Sequence, residues 1–290
     1  MSTIDKMYWG SVDDIAPHLP VSGYLFLAFA GIAFFFLLHI VLHFLIKVFY
    51  PGYAKLSSHD MHEYRMQVNG IVHALLASFF ALYCILWTCP GDKNFFNDKE
   101  CREIPRNCHV WTIFFTNGYL VSDLVLILSY LGLKTPMDKQ TFTHHVVAFI
   151  TYYLAFWKQD FTVTLGAAFI LLEISTPFVC LRWLFFHHSL KGSIVQNCNT
   201  ILLFIFFFFG RVCLQVFLIY MYASDWLTNM LFEKEGVETL YKVILIEMAI
   251  AVSINVVLNF YWAYLILLGV YRVLCKGPGA DKSFTGDGDD

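Results

Sequence analysis

Between Ser22 and Ile46 the chain carries no Asp, Glu, Lys or Arg, and the first charge to appear is Lys47. Each helical residue advances about 1.5 Å and a bilayer's hydrocarbon core is about 30 Å thick, so about 20 apolar residues suffice to cross it. The run is too long for the apolar region of a cleaved signal, and no small-residue cleavage pattern follows it. The preceding stretch holds Asp5, Asp13 and Asp14 against one Lys6. This segment is therefore expected to remain as a spanning helix.

Further apolar runs cover residues 66–87, 110–131, 142–157, 161–186, 198–222 and 242–270, which brings the expectation to about seven spans. Lipid cannot hydrogen-bond an exposed backbone, so only helices and closed barrels cross it. These runs are much longer than barrel strands and lack their alternation. The expected fold class is all-α, a polytopic membrane protein. Composition agrees: 58% of residues are hydrophobic and 14% charged, against about 25% charged in soluble domains. The net charge of −3 offers no basic field for nucleic acid.

The chain divides into an N-terminal segment with the first span (1–60), a main helical domain (61–275) and a Gly- and Asp-rich tail (276–290) expected to be disordered. Lys55, Arg65, Lys134, Lys139, Lys191, Arg272 and Lys276 gather on one face of the membrane, and cytosolic loops carry such excess. Lys6, Lys158 and Lys234 lie opposite, together with a loop holding Lys93, Lys99, Arg102 and Arg106. That loop also holds Cys101 and Cys108, with Cys89 just before it. Clustered cysteines suit an oxidising compartment. The loop and N-terminus are thus expected in the lumen and the C-terminus in the cytosol.

Ionisable side chains inside a membrane cost about 2.5–3.5 kcal/mol each on insertion scales and mark functional sites by default. Here they are His73, Asp123, His144, His145, Glu173, Arg182 and Arg211, with Asn69 and Asn259 as polar neighbours. In the proposed orientation several share the cytosolic half of the bilayer, which predicts a polar cavity open to the cytosol. Proline lacks an N–H, so Pro177 is expected to kink its helix and expose a carbonyl beside the Glu173 carboxylate. A structural kink with Glu173 paired to Arg211 or to a histidine is the competing reading. Adjacent His144 and His145 point about 100° apart on a helix. One is expected to face the cavity as general base or acyl acceptor, with interfacial histidines as the alternative. His39 and His43, one turn apart, are expected to reach the cytosolic interface, with a stripe facing a partner helix as the alternative. No His-x-x-His-His box, Gly-x-Ser-x-Gly, phosphate loop or Cys-x-x-Cys occurs.

These residues resemble the TLC-domain family, which includes ceramide synthases, translocating-chain-associating membrane proteins and ceroid-lipofuscinosis neuronal protein 8. The likeness rests on Gly118-Tyr-Leu-Val-Ser-Asp123-Leu, on His144-His145 and on Leu172-Glu173-Ile-Ser-Thr-Pro177-Phe-Val-Cys-Leu-Arg182-Trp183. The Glu-x-Ser-Thr-Pro-Phe stretch is most like the TLC domain-containing protein 4 subgroup. The resemblance implies a helical barrel enclosing a lipid-chain cavity, in the endoplasmic reticulum or a related membrane. It implies lipid homeostasis as the role, with acyl transfer from acyl-CoA at the histidine pair. Glu173, Ile174 and Ser175 depart from the ceramide-synthase pattern at that position, so the sphingoid-base reaction does not carry over. The expected catalytic set is His144, His145, Glu173 and Asp123. The expected substrate-binding set is Arg182, Arg211, His73 and Asn259. No metal or resident cofactor is expected, acyl-CoA being a substrate. Membrane lipids are the expected partners, nucleic acid is not, and a homo-oligomer is compatible with the sequence. A non-enzymatic lipid-binding or lipid-sensing protein is the alternative.

Overall fold

The computed structural model describes residues 21–158, 161–188, 190, 192–232 and 239–276. The expected lumenal stretch 1–20 and the acidic tail beyond Lys276 lie outside them, as do Lys191 and Lys234. Every regular element among the described residues is helical. Helix α1 spans Val21–Phe49 and a 3₁₀ turn, Pro51–Lys55, leads to α2, Ser58–Trp87. After the short α3 (Lys99–Glu103) comes α4, Asn107–Leu126, which continues as a π-helical turn to Leu131. Helix α5 covers Pro136–Lys158. Helices α6 (Phe161–Ile170) and α7 (Thr176–His187) are joined by the 3₁₀ turn Leu171–Ser175. Helices α8 (Ile194–Phe207) and α9 (Leu214–Phe232) are joined by the π-helical turn Phe208–Cys213, and α10 spans Thr239–Lys276.

Six stretches are long and apolar enough to cross a membrane: Phe26–Phe49, Ser58–Trp87, Asn107–Leu131, Phe161–His187, Ile194–Ser224 and Ile246–Cys275. Helix α5 is not among them, although its 23 residues give it the length. Its first half carries Gln140, Thr141, Thr143, His144 and His145, and these lower its apolarity. The chain path nonetheless takes α5 across. It starts beyond the C-terminal end of α4 and ends where α6 begins. There the Thr164 hydroxyl donates to the Arg102 carbonyl of α3, which precedes α4. Among the described residues seven helical stretches thus run from one end of the bundle to the other, six of them long and apolar enough to cross a membrane.

The end of the bundle where α2 finishes and α4 starts is closed by a Cys89–Cys101 disulfide, with Cα atoms 5.9 Å apart. In the same loop Lys93 lies 3.0 Å from Asp98 and holds that carboxyl below the usual carboxylate range. At the opposite end α1 and α2 meet through side chains. His39 is buried and stacks on His62, their nitrogens 3.3 Å apart. The ring of His62 also stacks on Tyr130 at 3.6 Å. His43 lies 3.3 Å from the Tyr53 hydroxyl. The pair therefore faces partner elements instead of the expected interface, because these aromatic and imidazole rings give it better contacts than water.

Helices α1 and α4 cross backbone to backbone. A Cβ placed on Gly118 would lie 2.5–2.8 Å from backbone atoms of Gly31 and Ile32. Small residues let membrane helices approach backbone to backbone, where packing substitutes for the hydrophobic drive that lipid removes. Phe35, Ala77, Ile113, Ile170 and Leu218 continue this core, each fully or almost fully buried.

Candidate functional site

The site is assembled from α2, α4, α5, the α6–α7 junction, the α8–α9 junction and α10. Proline accounts for the first irregularity. Pro177 stands in the first turn of α7, where its missing N–H leaves no gap. The turn ahead of it tightens to 3₁₀, so the Thr176 N–H donates to the Glu173 carbonyl. That carbonyl is therefore not exposed, contrary to expectation. The Leu172 carbonyl, within that 3₁₀ turn, accepts an additional hydrogen bond from Arg211 Nε at 3.0 Å.

Arg211 sits in the π-helical turn of Phe208–Cys213, and such single-turn π segments recur at functional sites. Gly210 allows the approach, since a Cβ there would fall 2.6 Å from Ile174 Cγ2. Arg211 Nη2 lies 3.2 Å from Glu173 Oε2 and donates to Thr176 Oγ1 at 2.7 Å. The Thr176 hydroxyl in turn donates to Glu173 Oε2 at 2.6 Å. Glu173 is thus held by two donors, and the reading that paired it with Arg211 describes the geometry.

On the facing helices, His145 Nδ1 lies 3.0 Å from Asp123 Oδ2, both side chains buried. His144, turned away from its neighbour, sets Nδ1 2.8 Å from Asn255 Oδ1 of α10. A buried or half-buried imidazole facing an acceptor oxygen carries its proton on the nitrogen between them, so Nδ1 of His144 is the donor there. Trp262, seven residues along α10, meets the His144 ring edge-on at 5.4 Å and donates its indole N–H to Gln140 at 2.8 Å. Asn259 donates to Gln215 at 2.9 Å. Residues 255, 259 and 262 form one stripe on α10, at the i, i+4, i+7 spacing of a single helix face.

His73 occupies the centre. Its ring lies flat on Tyr119 at 3.9 Å and 7°, and both its nitrogens are buried without a hydrogen-bond partner. Tyr119 meets His145 edge-on at 5.8 Å. Glu173 is within electrostatic reach of Arg211, His73 and His144. Cys180 and Tyr152 lie close enough to feel the same charges.

Of the sequence candidates, Asp123, His144, His145, Glu173, Arg211 and His73 thus converge. Asn259 stands one turn from Asn255 at the rim. Arg182 lies nine residues past Glu173, about 13 Å along the axis, buried with its guanidinium 5.3 Å from the Phe186 ring. Asp123, His145 and His73 are enclosed, whereas His144, Glu173 and Thr176 keep some accessible surface. The cluster therefore has a closed inner part and an accessible outer part, and is not a wide-open vestibule. Sequence reading missed Asn255, Gln215, Gln140, Tyr119, Tyr152 and Cys180. A search for polar residues in the α10 stripe would have found Asn255.

A separate groove of about 370 Å³ opens between α1, α2 and α4 towards the disulfide end. Phe34, Leu76, Phe80, Trp111 and Phe115 form its walls, with Cys84, Cys108 and Thr112 also facing it. Phe115 divides it from the cluster by stacking near His73, 6.1 Å between centroids.

The family model for the TLC domain matches residues 63–268, which contain every residue of the cluster. The chain belongs to the TLC-domain family. Among relatives with this domain, TLC domain-containing protein 4-B of Xenopus laevis is 28% identical over 268 residues, covering 88% of this chain and 92% of that one. TLC domain-containing protein 4 of Homo sapiens is 30% identical over 173 residues, 56% of this chain and 59% of its own. The Danio rerio 4-B protein is 29% identical over 262 residues, 82% and 86% respectively. The TLC match begins in α2, so α1 lies ahead of it while contributing Phe35 and Gly31 to the packing around the site.

Proposed function

We propose that this TLC-domain protein transfers an acyl group from acyl-CoA to a lipid acceptor in the endoplasmic reticulum membrane, and so acts in lipid homeostasis. The observation that carries the reading is the Asp123–His145 pair, 3.0 Å apart and buried. The Asp123 carboxylate lies against the Nδ1 edge of the ring, where its charge attracts the positive charge that His145 gains on taking a proton. Nε2 is the nitrogen left to act as base. The acceptor's nucleophilic oxygen or nitrogen attacks the thioester carbonyl as His145 Nε2 takes its proton. The C–S bond breaks, and the proton passes to the departing CoA thiolate. Glu173 is engaged by Arg211 and Thr176 and so serves to position the wall, not to take protons. His144, Arg211, His73 and Asn259 line the substrate in this scheme, with acyl-CoA entering from the cytosol.

The test is the purified protein in liposomes with labelled acyl-CoA and a panel of amine and hydroxyl lipid acceptors. Turnover abolished by His145→Ala and by Asp123→Asn is the expected result. Turnover unchanged in both variants overturns the mechanism. The apolar groove beside His73 favours a second reading, a protein that holds a lipid without converting it. A lipid recovered intact and in stoichiometric amount, with no product from any acceptor, decides for that reading.

A further inference from the structure

Cys84 and Cys108 take no part in the cluster described above. Cys84 is in the last turn of α2 and Cys108 in the first turn of α4, at the same end of the bundle as the Cys89–Cys101 bond. Both are buried thiols. Their sulfurs, with a ring nitrogen of His109, fall within 4.8 Å of one another. Thr112 steadies them: its hydroxyl is 3.5 Å from Cys84 Sγ and donates to the Cys108 carbonyl at 2.7 Å.

Three such donors invite comparison with a metal site, but His109 is already committed. Its Nδ1 accepts the Arg106 N–H at 3.0 Å, capping α4, and its ring also meets the backbone at Cys84. Removing it would uncap the helix, at a cost of about 0.5–2 kcal/mol. That leaves two sulfurs, fewer than the ligand sets of structural zinc sites. Two thiols are, however, what a disulfide needs. A thiol pair beside an existing disulfide meets the same oxidant, and of the three pairings that four cysteines allow, contact favours Cys89–Cys101 with Cys84–Cys108.

We propose that Cys84 and Cys108 form a second disulfide in the mature protein, stapling α2 to α4 at the edge of the apolar groove. The bond forms by exchange with a disulfide-bearing oxidant during folding, before the two helices close and bury the thiols. One thiolate attacks the oxidant's disulfide, giving a mixed disulfide and releasing one thiol. The second cysteine then displaces the other oxidant sulfur. The chain loses two protons and two electrons, and the oxidant is reduced to two thiols.

The experiment uses the full-length protein purified from eukaryotic membranes, denatured in the presence of an alkylating reagent, digested without reduction and analysed by mass spectrometry. A cross-linked Cys84–Cys108 peptide alongside Cys89–Cys101 is expected. Both cysteines alkylated while Cys89–Cys101 stays linked overturns the proposal, as does one zinc or copper per chain by elemental analysis. A second readout is thermal unfolding of Cys84→Ala, Cys108→Ala and the double variant. A bonded pair makes the double variant no worse than either single one, whereas additive losses contradict the bond.

Discussion

Arg211 reaches Glu173 from a π-helical turn and meets it on a 3₁₀ turn, so this guanidinium–carboxylate contact of 3.2 Å joins two places where α-helical geometry breaks. The same guanidinium that neutralises Glu173 also donates to the Leu172 carbonyl in the turn ahead of Pro177. Arg211 thus braces that turn and holds the carboxylate at once.

Arg211→Ala is expected to destabilise the protein by about 3–5 kcal/mol, because it strands a largely buried carboxylate. Arg211→Lys keeps the charge but cannot serve Leu172, Thr176 and Glu173 together, and falls in between. Thermal unfolding in detergent measures both. A loss under about 1 kcal/mol for Arg211→Ala, the range of solvent-exposed ion pairs, would show the pair to be solvated.

Gly118→Ala and Gly31→Ala separate a close crossing from a merely snug one. The added methyl at 118 collides with Gly31 and Ile32 backbone at 2.5–2.8 Å, whereas that at 31 meets its nearest atoms at 3.3 Å. Overpacking costs about 1–3 kcal/mol, and the larger loss is expected at Gly118. Equal midpoints for the two variants would contradict the α1–α4 geometry.

His73→Phe keeps the stack on Tyr119 and removes two unpartnered buried nitrogens, each worth about 1–3 kcal/mol when left unsatisfied. Its thermal midpoint is expected to rise or hold while lipid binding or turnover falls. A site residue kept at a cost to stability behaves in this way. A variant that is more stable and fully active would make His73 a packing residue.

His145→Ala should lower acyl-transfer turnover by about 10²- to 10⁴-fold, the span of general acid–base contributions. His144→Ala leaves the Asp123 contact untouched and loses its own contact to Asn255, so its effect is expected mainly on acceptor KM. Steady-state kinetics on the two variants measures both, and a reversed pattern would move the base to His144.

Much of this arrangement was legible in the residues themselves. The apolar runs marked the helices because lipid forbids unpaired backbone, and Asp123, His145 and Glu173 stood out because charge inside a membrane is costly. What was not legible was rotation. Helices apolar on nearly all sides give little phase, so nothing marked Gln215 or Gln140 as inward-facing, and Tyr119 and Cys180 read as core. The Pro177 irregularity was visible, but not that the turn ahead of it tightens to 3₁₀ and so gives the Glu173 carbonyl the Thr176 N–H. His39 and His43 were misplaced for a similar reason: their partners, His62 and Tyr53, are supplied by the fold.

The polar character of α5 has a consequence for how the molecule is made. A segment carrying Gln140, His144 and His145 gains little by entering lipid alone, so its insertion must be helped by neighbours already in place. Helix α4 is synthesised before it, but α10, which supplies Asn255 and Trp262, emerges last. Until then the imidazole ring of His144 has no amide to face. The most chemically equipped crossing is therefore also the last to be fully accommodated during biogenesis, and substitutions at Asn255 or Trp262 would register first as faulty topology or rapid degradation of the nascent protein.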